Sequence, residues 1–374
     1  MVEWKKFGEV CKVHTGSQLN RSDMLAFGPY PVVNGGREYS GYTDKFNEKA
    51  NSITISQGGE SAGFVNWLDV YFWAGAHCYV VEIPDCCDTR YIYHTLKNKE
   101  RDIQISKQGA GIPGLNRDTL YKQIIPVPSL SEQTRIVEIL DTFTSAIDNL
   151  KEQIAQRRKQ YEYYRDQLLD LKGKEIITTL SFGDDFQIKA RIGWQGLTKK
   201  EYKTSGDYKL VTGTDFTGNL RIDFESCVFV EKERYEQDEY IKLKVGDVLI
   251  TKDGTLGKVA YIDKLDMPAT LNGGVFVVRD PKKRVIPKFI MYYLTSYHFK
   301  KWMQQNHTTG SIQHLTQKLL STFTIPVLSE IEQQRIVSIL DSFEASIQNL
   351  EAQLDQREKQ YEYYRNKLLT FENK

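Results

Sequence analysis

Glu132–Asp141 reads EQTRIVEILD and Glu332–Asp341 reads EQQRIVSILD, while Lys159–Arg165 and Lys359–Arg365 are both KQYEYYR. The two stretches align without a gap, 200 positions apart, from Glu132 to Leu171 and from Glu332 to Phe371. Identity of this kind marks a duplication, not shared composition. Each copy also carries a hydrophobic rhythm in alternating steps of four and three: Ile136, Leu140, Phe143, Ile147, Leu150, Ile154, Arg157, Tyr161, Tyr164, Leu168 and Leu171. The second copy repeats it at Ile336, Leu340, Phe343, Ile347, Leu350, Leu354, Arg357, Tyr361, Tyr364, Leu368 and Phe371. That is a heptad seam, and with no Pro or Gly inside either run it predicts two long helices.

A helix of roughly 40 residues is about 60 Å long and needs a partner for its seam along most of that length. The other copy is the obvious partner. If the segment between the copies is one compact body, the helices run antiparallel. Tyr161, Tyr164, Tyr361 and Tyr364 are then read as core packing, and Arg157 and Arg357 as polar seam residues that fix register. The expected organisation is a globular segment over 1–130, a helix over 131–171, a second globular segment over 172–331 and a second helix over 332–374. This is an α+β dumbbell whose two long helices form an antiparallel coiled coil, with an internal repeat about an approximate twofold axis.

At 374 residues with 40% hydrophobic content, the chain can form a core in each globular segment. Its formal net charge is only +1, so a generic polyanion binder is excluded, and any contact to nucleic acid must use local basic clusters. The N-terminal MVEWKKFGEV lacks the apolar run of a secretory signal, and no stretch reaches a membrane span, which predicts a cytoplasmic protein. Five irregularly spaced cysteines suit a reducing compartment. His77, Cys78, Cys86 and Cys87 contain no CxxC pair, so no metal site is expected.

The globular segments share a plan. Strand signals at Tyr30–Val33, Ser52–Ser56 and Tyr79–Ile83 are followed by a helix capped at Asp88-Thr89 and by Ile124–Pro128. In the second segment Asp207–Val211 resembles the Tyr30 strand, and Thr251–Gly257 (TKDGTLG) stands where Gln57–Gly63 (QGGESAG) stood. Pro287–Tyr297 matches the first helix, Thr309–Leu315 sits at the offset of Gln108–Leu115, and Ile325-Pro326-Val327 repeats Ile125-Pro126-Val127. The helices stayed alike while the globular parts diverged. That contrast suggests one partner type met twice and two different targets.

Catalytic chemistry has no visible home. Gly109–Gly114 matches GxGxxG literally, but Pro113 removes a backbone N–H and no βαβ unit surrounds it, so it is read as a turn. Gly254–Val259 lacks the spacing of a phosphate loop, and no GxSxG, HExxH or paired-carboxylate arrangement occurs. What remains are basic and amide-rich loops able to meet base edges and phosphates. In the first segment these are Gln18, Asn20, Arg21, Asn34, Arg37, Lys107 and Gln108. In the second they are Lys252, Lys282, Lys283, Arg284, His307, Ser311 and Gln313.

With these motifs in view, the whole chain resembles the specificity subunits of Type I restriction-modification systems. The helical starts IPVPSLSEQTRIVEILD and IPVLSEIEQQRIVSILD carry the resemblance, with WKKFGEV, YPVVNGG and ISQGGESAG in the first segment. IGWQGL, LVTGTDF, GDVLITKDGTLGKVA and LNGGVFVVRD carry it in the second. IGWQGL is not a copy of Trp4–Val10, so loop-by-loop correspondence is open there. The resemblance implies that the globular segments are target-recognition domains and the helices conserved helical regions. It implies a non-catalytic reader of a bipartite double-stranded DNA target, assembled with two methyltransferase subunits and two restriction-translocase subunits. S-adenosylmethionine, ATP and Mg²⁺ would then belong to those partners, with no cofactor in this chain. The alternatives are a DNA methyltransferase or nuclease in its own right, which would bind S-adenosylmethionine or cleave DNA unaided, and a coiled-coil scaffold without sequence preference on DNA.

Overall fold

The computed structural model describes residues 2–107, 114–191, 196–254, 256–306 and 314–371. They form two compact units, one of residues 1–152 with 351–374 and one of residues 153–350.

Period-2 segments rich in Val, Ile and Tyr become short strands because alternate side chains then reach one buried face. In the first unit, Lys12–Thr15, Cys78–Glu82, Ser52–Ser56 and Val65–Leu68 form an antiparallel four-stranded sheet in that order. A second sheet places Tyr30–Val33 between antiparallel Gly41–Thr43 and parallel Trp73–Ala74. Glu3–Lys6 pairs with Ile124–Val127, so the first and last strands of the unit lie side by side. The core gathers Phe7, Ile53, Ile55, Tyr91, Ile92 and Leu120 with Ile136, Leu140 and Leu369 of the long helices.

The second unit has the same topology, strand for strand. Gln187–Lys189, Val275–Arg279, Val248–Thr251 and Val259–Tyr261 repeat the four-stranded sheet. Tyr208–Val211 lies between antiparallel Val228–Val230 and parallel Ala269–Leu271. Thr178–Ser181 pairs with Thr324–Val327 and is the counterpart of Glu3–Lys6. This corrects the expectation for the entry into this unit. The partner of Phe7-Gly8-Glu9 is Phe182-Gly183-Asp184, not the IGWQGL stretch, of which residues 192–195 lie outside the described residues. Both glycines lie against the same repeat position. A Cβ at Gly8 would come within 2.7 Å of the Tyr121 side chain, and one at Gly183 within 3.0 Å of Ser321.

The long helices span Leu130–Leu169 and Glu330–Leu369, each starting and ending two residues before its aligned stretch, Glu132–Leu171 or Glu332–Phe371. Each start follows a serine with glutamate three residues on, a capping sequence. The Ser129 and Ser329 carbonyls accept the amides of Gln133 and Gln333, and Glu332 N donates to Ser329 Oγ at 3.3 Å. The Glu and Arg of the EQxR motif form two-pronged pairs, Glu132 with Arg135 and Glu332 with Arg335. Between them the glutamine is buried and fastens a globular helix to the long one. Gln133 Oε1 accepts from Asp88 N at 2.8 Å and its Nε2 donates to Pro128 O at 2.9 Å. Gln333 does the same with Ile286 N at 2.8 Å and Leu328 O at 2.9 Å.

Within each unit the two helices run antiparallel. In the first, Phe143 meets Tyr364 and Lys151 meets Glu358; in the second, Tyr164 meets Phe343 and Tyr161 meets Glu344. Asp141 and Asp341 anchor the globular helix in each. Asp141 takes bonds from Arg90 and from His94, whose other ring nitrogen meets the Tyr361 hydroxyl. Asp341 takes Lys288 and Tyr292, both at 2.6 Å.

The seam departs from a strict heptad. Ile136, Leu140, Ile147, Ile154, Ile336 and Leu340 are buried as expected, and Phe143, Leu150, Phe343, Ile347, Leu350 and Leu354 are half-buried. Towards the C-terminal ends Leu169 and Leu369 are buried, whereas Leu168 and Leu368 are half-buried. Tyr161 and Tyr361 pack against the cores, but Tyr164 and Tyr364 are 48% and 40% exposed. Arg357 is exposed and donates to Gln360 of its own helix, so it does not fix register. An α-helix drifts about 20° per heptad against a 3.5-residue repeat, which turns position 165 inward where 164 was expected. Arg165 is accordingly buried, and so is Glu344.

Candidate nucleic-acid interface

At one end of the four-stranded sheet in the first unit, the turn after Ser56 is built from residues far apart in sequence. Gln57 N donates to His77 O at 2.9 Å, Gln57 O accepts from Leu115 N at 2.7 Å, and Gln57 Nε2 donates to Thr15 Oγ1 at 3.2 Å. Asn34 Oδ1 accepts from His77 N at 3.2 Å. Gly35 has a φ of +84°, and a Cβ there would stand 2.5 Å from His77 O, so only glycine lets these two loops touch. Arg37 lies over the Phe64 ring at 5.5 Å, Lys97 over the same ring at 4.4 Å, and Lys107 Nζ donates to Glu60 O at 3.2 Å.

Asn34, Arg37 and Lys107 are thus brought together around the Gln57–Gly63 loop. The amide oxygen of Asn34 is already engaged by the N–H of His77, the residue whose carbonyl holds Gln57. Ser17 N is anchored on Ala74 O at 2.8 Å, so exposed Gln18 begins beside the same group. Asn20 and Arg21 lie farther along, in a turn leading to the Leu25–Tyr42 bridge. Gln108 lies outside the described residues. Gln57 and exposed His77 were not among the expected contacts, although the QGG turn signal pointed to the first of them.

The second unit reproduces the backbone of this loop group with other side chains. Lys252 N donates to Gly274 O at 2.9 Å, Lys252 O accepts from Leu315 N at 3.0 Å, and Asn272 N donates to Val211 O at 2.9 Å, as Gly75 N does to Val33 O. Lys252 therefore occupies the place of Gln57, with Nζ 5.2 Å from the Phe276 ring centroid. His314 Nδ1 lies 2.6 Å from Asp253 Oδ1.

Lys282, Lys283 and Arg284 are not part of this group. Thr251 pairs with Val275 and Val248 with Val278, so Lys252 leaves one end of the strands and Asp280–Arg284 the other. Arg284 is committed to the fold. It bonds Asp185 at 2.7 Å and Asp280 at 3.1 Å, and holds the Asp185 carboxyl below the usual carboxylate range. His307, Ser311 and Gln313 lie outside the described residues, as do residues 109–113 of the GxGxxG stretch.

Among the described residues no group of His, Cys, Asp or Glu could hold a metal, and no helix is long and apolar enough to cross a membrane. Cys78 is buried, and its thiol donates to Val33 O and Gly75 O.

A family model for the Type I restriction modification DNA specificity domain matches residues 1–157 and again 186–358. The chain belongs to this family. The specificity subunit of the Escherichia coli EcoR124I/EcoR124II enzyme is 27% identical over 99% of this chain and 94% of its own length. The crystal structure of a Type I restriction-modification S subunit from M. genitalium superposes with a TM-score of 0.64 at 20% identity, covering 99% of this chain and 96% of that one. A second solved chain, from work on complex assembly and conformational transition of the type I restriction-modification system, gives 0.58 at 16% identity and covers 98% and 97%. The protein is a specificity subunit, not a catalytic one, as the resemblance implied. Its α+β architecture of two domains and two long helices is the one expected.

Proposed function

We propose that this specificity subunit reads a bipartite double-stranded DNA target, one half with each globular unit, through the loop groups around Gln57 and Lys252. The carrying observation is that one backbone scaffold recurs with different chemistry. Gln57 is replaced by Lys252 and His77 by Gly274, while the bonds that hold these positions are the same. A reader that keeps its frame and changes its contacting groups alters which bases it accepts without altering how it folds.

The matching surfaces of the long helices then receive two copies of one partner, a methyltransferase subunit, and the complex recruits two restriction-translocase subunits in the cytoplasm. S-adenosylmethionine, ATP and Mg²⁺ act on those partners. Exchanging residues 1–125 for those of another family member, followed by methylation mapping in a complex with the methyltransferase subunit, tests the reading. One half of the recognised sequence should change and the other should not; a change in both halves refutes independent reading.

A further inference from the structure

In the second unit a cavity of about 650 Å³ opens beside the Thr251–Gly257 loop. Three cations line it, Arg165, Lys258 and Lys300, and no Asp or Glu stands among its described lining residues. Both lysines are exposed, and neither has a carboxylate partner among the described residues. Arg165 is different, with its side chain only 7% exposed. Its Nε is held by Asp166 Oδ1 at 3.0 Å and its guanidinium lies 5.7 Å from the Tyr161 ring centroid, so it is a fixed part of the cavity wall.

Gly218 and Gly254 line the same space, and a Cβ on either would meet nothing within 4 Å, so the backbone lies open to a ligand. The rest of the wall is mixed, with Phe216, Leu256, Phe299 and Met303 beside Thr217, Thr295 and Gln304. Part of it belongs to a segment this unit has enlarged. The connection between the two strands spans 34–40 in the first unit and 212–227 in the second. A groove of the first unit that Arg365 lines, on other elements, carries both signs of charge. There Arg90, Lys97, Lys151 and Arg365 are matched by Asp69, Asp148, Glu358 and Glu362.

With Arg165 balanced by Asp166, Lys258 and Lys300 leave net positive charge at the cavity, which an anion offsets. Cations, open backbone and a partly apolar wall together suit a phosphate carried on a nucleoside, and the volume is in the range of small-ligand sites. We propose that this cavity is a phosphate-binding site of the second unit, with Lys258 and Lys300 as its charged contacts. It takes the phosphate of a nucleotide, either a backbone phosphodiester of the DNA lying along the Thr251–Gly257 loop or a free nucleotide. The DNA arm rests on the reading proposed above; the free-nucleotide arm does not.

The test uses the full chain and the double variant Lys258→Ala/Lys300→Ala, with Lys258→Arg/Lys300→Arg as charge-preserving control and thermal melting to verify folding. Binding of a labelled 20-bp duplex is followed by anisotropy across a salt series, and AMP binding by calorimetry. If the phosphate belongs to DNA, the alanine variant binds the duplex more weakly and its slope of log K against log salt is shallower by about 1, while the arginine variant keeps the wild-type slope. If it belongs to a free nucleotide, AMP binds the wild type and not the alanine variant, with the duplex slope unchanged. A folded alanine variant with the wild-type duplex slope, and no AMP binding by the wild type, overturns the proposal while leaving the DNA-reading function standing. A wild type that binds no DNA refutes that function instead, and AMP then decides the cavity alone.

Discussion

Phe143 stacks on Tyr364 with ring centroids 5.2 Å apart and planes at 22°, and the repeat-related pair, Phe343 on Tyr164, does so at 5.5 Å and 26°. One contact has been made twice, once in each unit, from residues that differ in number by 200. Such stacking contributes about 0.5–1.5 kcal/mol beyond the area it covers. A double-mutant cycle of Phe143→Leu and Tyr364→Leu should show coupling in that range, and the cycle at Phe343 and Tyr164 should give the same value within about 0.5 kcal/mol. Coupling near zero in both would mean that the rings only lie alongside.

Gln133 and Gln333 should be the most sensitive polar positions of the helical motif. Each satisfies one part-buried N–H and one buried carbonyl, and leaving buried groups of this kind unpaired costs about 1–3 kcal/mol apiece. Gln133→Ala and Gln333→Ala are expected to destabilise by about 2–4 kcal/mol. The neighbouring glutamine of the second copy, Gln334, is exposed, and Gln334→Ala should stay within about 0.5 kcal/mol of wild type. Urea unfolding of the three variants distinguishes them.

Glu344 gives the second unit a pH response. Burial, helped by nearby Asp341 and opposed by Arg221, pushes its carboxyl up to about 7. The folded chain therefore retains a proton that the unfolded chain releases, and stability falls as pH rises from the ordinary glutamate range to about 7, then levels off. Glu344→Gln keeps an acceptor for Tyr161 and removes the titration. The variant should be more stable than wild type by about 2 kcal/mol at pH 8 and no more stable at pH 4. Equal curves for both proteins would refute this.

Tyr163 and Tyr363 are 62% and 59% exposed, yet the heptapeptides that contain them are identical. Packing does not account for that. Under the proposed function they face the methyltransferase subunit, so Tyr163→Ala/Tyr363→Ala should melt within a few degrees of wild type but co-purify with that subunit at least tenfold less well. Undiminished assembly would assign the identity to another cause.

How far the fold could be read in advance followed the physics of each part. The long helices were legible because periodicity and identity persisted over forty residues, and the Asp88 cap because its side chain takes the Tyr91 amide as the local sequence suggested. Arg165 was missed because a four-three count ignores the drift of a straight helix. The pairing of Phe182-Gly183 with Phe7-Gly8 was missed because their offset is 175 and not 200. The loop group was only partly legible, since Thr15, Asn34, Gln57, His77 and Leu115 meet through long-range backbone and side-chain bonds that no local pattern records.

Each unit also holds the strand that opens it and the end of the helix that reaches it in a single core: Phe7 with Leu369 and Phe371 in one, Leu180 and Phe182 with Leu169 and Leu171 in the other. Residues 170–177 already bridge the second of these junctions. A short peptide across the first, with the chain opened near Gly173, would leave every strand pair and both long helices uncut. The order of the two halves along the gene is therefore free to change by circular permutation while the folded molecule stays the same.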